Sequence, residues 1–380
     1  MEMDTETLLA LVASSLPAGV SAGEAELLDA LIEANGDAPP SPTKSLPRLP
    51  VLTLTTPAMV AQHTPTTLHT SILPAELACQ LYYTMLEEAK TWSRNKWYLA
   101  DRLVESPHTS GFYARDAKSV DSKGMLEAAQ YWYNGNRQKP PRVFPDVMEE
   151  ALHFVEKVVQ EEMKKRKRYP LEWGGEPSSW CANVAASNCY RGCKEGVGAH
   201  SDMLTYLGPY PTIASISLGT TRNFRLREVI PVTEVDQRQA QTFDIPLPHN
   251  SLLIMHPPTQ EKFKHSIPTM KSIDTFRPAF GRGSGNEVDQ HNERINITFR
   301  FFRPDFQPES IPRCKCTHGE TPAVLRSNMK KKGGNEASHF WMCNGGAQNE
   351  GKSCHFFKNL DVVGEGRGPC VNVKRGIQNN

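Results

Sequence analysis

The apolar positions of this 380-residue chain change their period along its length. Leu8, Leu9, Leu11 and Val12 recur at helical spacing, and so do Leu27, Leu28, Leu31 and Ile32. The second run opens on Ser21-Ala22-Gly23-Glu24, a capping box in which the Ser hydroxyl accepts one orphan N–H and Glu24 reaches back to another. Asn35-Gly36 ends it. The period then vanishes from 39 to 67, where Pro, Ser and Thr dominate, and this stretch reads as a linker. Helical spacing returns after Leu73-Pro74-Ala75 with Leu77, Leu81 and Met85, and again over residues 147–163. From Trp180 onward the runs become short and often alternate. Residues 213–218, 223–227, 251–255 and 295–301, separated by Pro or Gly turns, predict strands. Helices ahead of such strands predict an α+β chain with a sandwich or jelly-roll core. Residues 271–293, polar and Gly-rich, read as an inserted loop between two core strands.

Composition narrows the function. Lys and Arg total 43 against 42 Asp and Glu, a net charge of +1, which excludes a globally polybasic nucleic-acid protein but leaves room for a local basic groove. No apolar run approaches a membrane span, and no membrane partner is expected. The acidic start MEMDTETLL lacks the basic region and cleavage site of a secretory signal. In an intracellular chain the crowding of Cys314, Cys316, Cys343 and Cys354 favours a metal over disulfides. Lys164-Lys165-Arg166-Lys167-Arg168 offers either phosphate contacts or a nuclear-import signal, or else a solvated helix end whose cations complement the dipole.

Two segments carry chemistry. In Gly196-Val-Gly-Ala-His200-Ser-Asp202, a His and an Asp two apart on extended backbone point the same way and offer one imidazole and one carboxylate to one ion. His265, in Phe263-Lys-His-Ser-Ile-Pro268, is the candidate third ligand. Two His and one carboxylate make the facial triad that holds non-haem Fe(II) with positions left open. In Arg294-Ile-Asn296-Ile-Thr-Phe-Arg300 both Arg and Asn296 share one strand face. A cavity lined by two guanidiniums suits a dicarboxylate.

On Asn188-Cys-Tyr190, His200-Ser-Asp202, IASISLGTTRNFRLR, NSLLIMHPPTQEKFKHSIP and RINITFR, the span from about Ser187 to Arg300 resembles the AlkB-like Fe(II)/2-oxoglutarate dioxygenases. The resemblance implies a double-stranded β-helix core with a helical N-terminal lid. It implies His200, Asp202 and His265 as iron ligands and Arg294, helped by Tyr190, as partner of the distal carboxylate of 2-oxoglutarate. Asn188, Asn296 and Arg300 become the remaining cosubstrate contacts. It implies oxidative decarboxylation to succinate and CO2 coupled to attack on a C–H bond; an N-methyl group so hydroxylated leaves as formaldehyde. The family's bacterial DNA-repair members often carry an acid two residues after the iron-binding Asp, where this chain has Leu204. A carboxylate for a cationic base must then come from elsewhere, or the substrate is neutral. What the resemblance implies is oxidative demethylation of alkylated bases in DNA, single-stranded DNA preferred, with RNA or protein as alternative substrates. A ubiquitin- and nucleic-acid-binding adaptor with an inactive core is the reading from another class.

The C-terminal cysteines read as a zinc site of Cys316, His318, Cys343 and Cys354, with Cys314 as the competing ligand. Cys316-Thr-His318-Gly-Glu320, Phe340-Trp341-Met-Cys343 and Cys354-His-Phe-Phe357 resemble a GRF-type zinc finger, although the namesake tripeptide is replaced by Ala-Ser-His-Phe340. The resemblance implies single-strand binding, with Lys330, Lys331 and Lys332 on phosphate and Phe356 or Trp341 stacking on bases. Such a finger is expected to be separable from the chemistry, since every iron and cosubstrate candidate precedes Arg303. The first two helices resemble the start of a CUE or other UBA-like ubiquitin-binding domain, but APPSPTK stands where a third helix belongs. A helical hairpin or partner-binding segment remains the alternative. The expected division is a CUE/UBA-like module at 1–38, linker at 39–67, dioxygenase domain at 68–305, zinc finger at 312–360 and tail at 361–380, in a nuclear or nucleocytoplasmic protein.

Overall fold

The computed structural model describes residues 49–99, 102–115, 132–133, 136–137, 140–281, 290–316, 319–328, 337–348 and 352–372. The expected CUE/UBA-like module lies outside the described residues.

Two sheets form the core. One has seven strands in the spatial order Thr66–Thr70, Ser251–Met255, Ile213–Gly219, Glu293–Arg300, Val184–Arg191, Thr109–Ala114 and Arg142–Val143. The other has five, in the order Leu52–Thr53, Thr242–Leu247, Arg222–Glu228, Phe263–Ile267 and Val197–His200. Most pairings are antiparallel, and the long steps between sequence neighbours are those of a jelly-roll sandwich.

Alternation along the seven-stranded sheet explains its two environments. Ala214, Ile216, Leu218, Ile295, Ile297 and Phe299 face outward onto the helices Ala75–Glu88 and Asp146–Lys164. The helices answer with Leu77, Leu81 and Met85, and with Met148, Leu152, Val155 and Val159, at spacings of three and four. Each such side chain contributes about 1.5–3 kcal/mol by leaving water. Asp146 and Glu149 in the first turn of the longer helix and Lys164 in its last match the helix dipole. The alternate residues Ser215, Ser217, Arg294, Asn296 and Thr298 are just as buried but polar. A buried polar face is costly unless each group finds a partner, so this face marks where the protein spends stability on chemistry.

Two segment assignments are corrected, and the basic run is accounted for in part. Residues 49–67, assigned to the linker, are ordered. Leu52–Thr53 pairs with Thr242–Leu247, Pro57–His63 is a helix capped by Thr56, and Thr66 already belongs to a core strand. Enough apolar residues (Leu54, Val60, Leu68) sit among the Pro and Thr to join the core. The tail is not loose over 361–372. Arg367, 5% exposed, donates to the Asp305 carbonyl at 2.7 Å and lies over the Phe306 ring at 4.2 Å. Val371 N–H donates to the Glu172 carbonyl at 2.9 Å. The basic run is partly consumed by structure: Arg166 donates twice to the buried Glu172 at 2.7 and 2.9 Å, and Arg168 once at 2.6 Å.

Residues 313–328 and 338–359 form a hairpin, Arg313–Cys316 with Gly319–Pro322, and a three-stranded sheet, Val324–Asn328, Ser338–Met342 and Phe357–Asn359. Ala323, Leu325 and Trp341 are completely buried and join the core cluster that fills the space between the sheets. Trp341, expected to stack on bases, is 0% exposed and packs on Phe306, with ring centroids 6.1 Å apart. Phe356 is half-buried against the same cluster. The exposed aromatic of this module is Phe357, stacked on Phe340 at 5.1 Å.

Candidate active site

The five-stranded sheet brings the two histidines together by register. Val197–His200 and Phe263–Ile267 run antiparallel with His200 opposite His265. Their ring centroids are 4.3 Å apart. Close approach of these strands depends on Gly196: a Cβ there would sit 2.5 Å from the Ile267 carbonyl oxygen. Just past the strand end Asp202 turns its carboxylate to both rings. Its Oδ1 lies 3.8 Å from His200 Nε2 and 3.6 Å from His265 Nε2. Two atoms bonded to one ion at about 2.1 Å lie no more than about 4.2 Å apart, so the three ligand atoms converge on a single cation site.

The surroundings fix each ligand. His200 Nδ1–H donates to the Gly198 carbonyl at 2.8 Å, which leaves Nε2 with its lone pair toward the cluster. Arg300 donates to Asp202 Oδ2 through Nε at 2.9 Å, with its other terminal nitrogen at 2.8 Å, which leaves Oδ1 free. The Asp202 N–H is held by Gln260 Oε1 at 2.8 Å. Burial alone would raise the Asp202 carboxyl, but Arg300 and the two imidazoles hold it at about 2. Burial, with His200 adding to it, pushes His265 down to about 3, so it is a neutral imidazole. Among the described residues, His265 Nδ1 has no hydrogen-bond partner.

Across the gap stands Arg294, on the inward face of the other sheet and 1% exposed. Nη2 donates to Ser217 Oγ at 2.8 Å. Nε and Nη1 find no partner among the described residues. Burial lowers its pKa to about 10, Tyr190 opposing and Arg222 assisting the shift. The guanidinium lies 5.4 Å from the centre of the Tyr190 ring. A buried, unpaired cation is expensive, and a carboxylate is the group that relieves it. His108 closes this end: its ring is 5.0 Å from Tyr190, and its Nδ1–H donates to the Gly196 carbonyl at 2.9 Å.

One cavity of about 690 Å3 joins Arg294 to the His200–Asp202–His265 cluster. Asn188, Tyr190, Asn296 and Arg300 line it too, so all eight expected site residues meet in one place. Their environments differ from the expectation in part. Arg300 is tied to Asp202 rather than free for a dicarboxylate. The Asn296 amide is spent on Ser215 Oγ at 2.6 Å and the Ile216 carbonyl at 3.1 Å, and its oxygen accepts from Thr298. Asn188 Oδ1 accepts from Ser110 Oγ at 2.7 Å. Sequence reasoning missed Gln260, Ser217 and His108. Gln260 sits in the four-residue helix Thr259–Lys262, too short for any periodic signal, whereas Ser217 is legible as one of two polar residues, with Ser215, on one face of an otherwise apolar strand. His249 and His256 have structural partners: Gly219 N–H donates to His249 Nδ1 at 3.1 Å, and His256 Nε2 meets Thr67 Oγ1 at 3.0 Å.

A second cluster holds Cys314, Cys343 and Cys354, whose sulfurs all lie within 4.8 Å of one another. Cys314 and Cys343 Sγ are 3.6 Å apart, close to the edge of about 3.8 Å that a tetrahedron of 2.3 Å zinc–sulfur bonds has. Gly345 N–H donates to Cys343 Sγ at 3.2 Å. The cluster thus contains Cys314, which the expected ligand set held only as an alternative. His318 lies outside the described residues, as does the side chain of Cys316.

Curated relatives match the middle of the chain. Alpha-ketoglutarate-dependent dioxygenase alkB homolog 3 of Mus musculus is 35% identical over 36% of this chain and 42% of its own. The Homo sapiens protein of that name is 36% identical over 34% and 39%. DNA oxidative demethylase ALKBH2 of Homo sapiens is 33% identical over 31% and 39%. The chain spans about two fifths of the length of these relatives. The solved structure of OsALKBH1 matches 63% of this chain and 99% of its own, with a TM-score of 0.36 and 13% identity. The family model described as the 2OG-Fe(II) oxygenase superfamily matches residues 66–300, well over half of the chain and all of the cavity-forming sheets' central strands. On that match, with a two-His, one-Asp cluster facing a buried Arg, the chain belongs to the 2OG-Fe(II) oxygenase superfamily.

Proposed function

We propose that the protein is an Fe(II)/2-oxoglutarate-dependent oxidative demethylase of N-alkylated nucleic acid, DNA in the first place and single strands before duplex. The observation that carries this reading is the shared cavity, with a two-His, one-Asp cluster at one side and a buried Arg lacking a carboxylate at the other. The name DNA oxidative demethylase carried by one set of relatives supports the substrate class.

His200 Nε2, Asp202 Oδ1 and His265 Nε2 would hold the iron on one face and leave the opposite face to the cavity. Arg294 would take the distal carboxylate of 2-oxoglutarate, with Ser217 and Tyr190 fixing the guanidinium. Bound iron and 2-oxoglutarate would supply the oxidation with dioxygen as the oxidant: one oxygen atom enters the cosubstrate, which leaves as succinate and CO2, and the other hydroxylates an N-methyl carbon, which is then lost as formaldehyde. The chain's own residues orient and protect. Arg300 and Gln260 keep Asp202 aimed, Gly198 fixes the His200 tautomer, and the apolar core behind Tyr190 excludes water. Leu204, which stands where the family's bacterial DNA-repair members often carry an acid, is 1% exposed and turned into the core, so it offers nothing to a cationic base. Among the described residues, the carboxylate that lines the cavity outside the iron cluster is Glu105, which shares its charge with Lys96 at 3.5 Å and would be the candidate partner of a cationic base.

The cysteine cluster supports a structural zinc with Cys314, Cys343 and Cys354 as three ligands and Cys316 or His318 as the fourth, in a GRF-like module. Ubiquitin binding by residues 1–38 and a nuclear or nucleocytoplasmic location belong to the same reading and rest on sequence alone. The test is formaldehyde release, with iron and 2-oxoglutarate, across a panel of N-methylated DNA and RNA oligonucleotides and a methylated peptide. Release from DNA is the expected result. Release from RNA or peptide alone would move the substrate class, and succinate without formaldehyde from any of them would overturn the demethylase.

A further inference from the structure

The C-terminal module is a wall of the catalytic cavity. Pro322, Ala323, Val324, Arg326 and Asn344 line the same 690 Å3 space as His200, Asp202 and His265. The module is fastened there by its backbone. Leu204 N–H donates to the Leu325 carbonyl at 3.2 Å, and Leu325 N–H donates to Thr205 Oγ1 at 3.2 Å. Both contacts fall within three residues of Asp202. Beneath them the fully buried Glu261 faces His339 at 3.6 Å. On the far side the turn Gly345–Gln348 packs against Lys96–Leu99, the first strand of a hairpin completed by Arg102–Glu105. That hairpin supplies Trp97, Val104 and Glu105 to the opposite wall. The mouth is therefore framed by two elements that meet over it.

Two side chains of this wall have no structural use. The Arg326 side chain makes no hydrogen bond or ion pair among the described residues, although its backbone pairs with Phe340 and the residue lines the cavity. Asn344 is 7% exposed and its carboxamide makes no hydrogen bond there either. A nine-tenths-buried amide without partners, on a cavity wall, is a group awaiting a ligand. A cation beside it selects an anion, and along a nucleic-acid strand the anion flanking every base is a phosphodiester.

We propose that Arg326 binds a backbone phosphate next to the methylated nucleotide and that Asn344 hydrogen-bonds the base or sugar of that nucleotide, so that the C-terminal module reads substrate inside the active site rather than delivering it from outside. This rests on the demethylase reading. It also replaces the expectation of a separable finger: deleting residues from Cys314 onward removes part of the cavity wall and takes the Leu325 partners from the Leu204 N–H and the Thr205 hydroxyl.

The test compares full-length wild type with Arg326→Ala, Arg326→Lys and Asn344→Ala on two substrates, an N-methylated single-stranded oligonucleotide and the matching methylated nucleoside, which has no phosphate. Zinc content of each variant checks that the module is folded. For Arg326→Ala, KM for the oligonucleotide should rise about tenfold with kcat within about twofold, KM for the nucleoside should stay put, and Arg326→Lys should recover most of the loss. Asn344→Ala should raise KM for both substrates. Equal shifts on both substrates in Arg326→Ala, or none on either, would overturn the phosphate assignment while the demethylase stands. If wild type demethylates neither substrate, the demethylase falls, and salt titration of binding to an unmethylated single strand still decides Arg326. The log–log slope should shrink by about 0.7 in Arg326→Ala, and an unchanged slope rejects the contact.

Discussion

The two ligand clusters of this protein solve opposite problems. His200, Asp202 and His265 lie at a strand end facing a cavity, and His200 keeps 42% of its side chain exposed. Each is aimed by a hydrogen bond or register pairing that the core enforces, so the site exists before any ion arrives. Cys314 and Cys343 are buried, with a third thiol beside them, in a module whose own apolar content is small. There the metal would be a staple, and what folds the module is partly the ion and partly the oxygenase core against which Leu325 and Trp341 pack. The first cluster should therefore lose chemistry when cut and keep its fold, and the second should lose its fold.

The largest effect expected is at the first cluster. His265→Ala should reduce 2-oxoglutarate turnover to background while the thermal midpoint moves by a few degrees at most, since both flanking strands keep their ladders. Turnover assays with parallel calorimetry check this, and a collapsed fold would mean that the histidines are core. At the second cluster, Cys343→Ala should abolish stoichiometric zinc in elemental analysis and lower the midpoint markedly, removal of structural zinc being worth several kcal/mol. Retained zinc with an unchanged midpoint would show that the thiols are merely neighbours.

Smaller effects sharpen the same contrast. Arg300→Ala frees Asp202 to rotate without removing a ligand, so iron affinity should fall about 10- to 100-fold while saturating iron restores turnover. A loss that iron does not rescue would return Arg300 to the cosubstrate. The smallest effect concerns pH. His249 is held by burial at about 4 in the folded chain against 6.5 ordinarily. Between those values the unfolded chain binds more protons, so the stabilisation is complete above pH 6.5 and lost as pH falls toward 4. His249→Gln should flatten that slope in denaturant titrations from pH 7 to 4.5 without altering iron binding.

Much of the first site was readable because strand geometry is periodic. His200 and Asp202, and Arg294 and Asn296, are two residues apart, and a period of two puts them on one side. His265 was found through the family resemblance and through the extended character of its neighbours. What spacing leaves unsaid is who holds whom. Nothing in the order of residues tells that Arg300 would be drawn to Asp202, 98 positions earlier, or that Asn296 would close on its neighbouring strand. The linker boundary was misplaced because Thr- and Pro-rich edge segments lack periodicity yet still add a short strand and a capped helix. The C-terminal module reads as detachable in sequence because a contact such as Leu204 with Leu325 is invisible to local pattern. Aromatic residues in that module gave no hint of their exposure: Trp341 is core and Phe357 is surface.

If Arg294 and the two-His, one-Asp cluster serve one cosubstrate in one cavity, the Arg294 contact sets the affinity for 2-oxoglutarate. The direct measurement is succinate formation as a function of 2-oxoglutarate concentration in wild type and Arg294→Ala, with iron saturating in both. Losing the partner of a buried carboxylate costs about 2–5 kcal/mol, so KM for 2-oxoglutarate should rise by a factor of about 30 or more. Iron binding in the absence of 2-oxoglutarate should be unchanged. An unaltered KM would place the cosubstrate's distal carboxylate away from Arg294 and separate the two sides of the cavity.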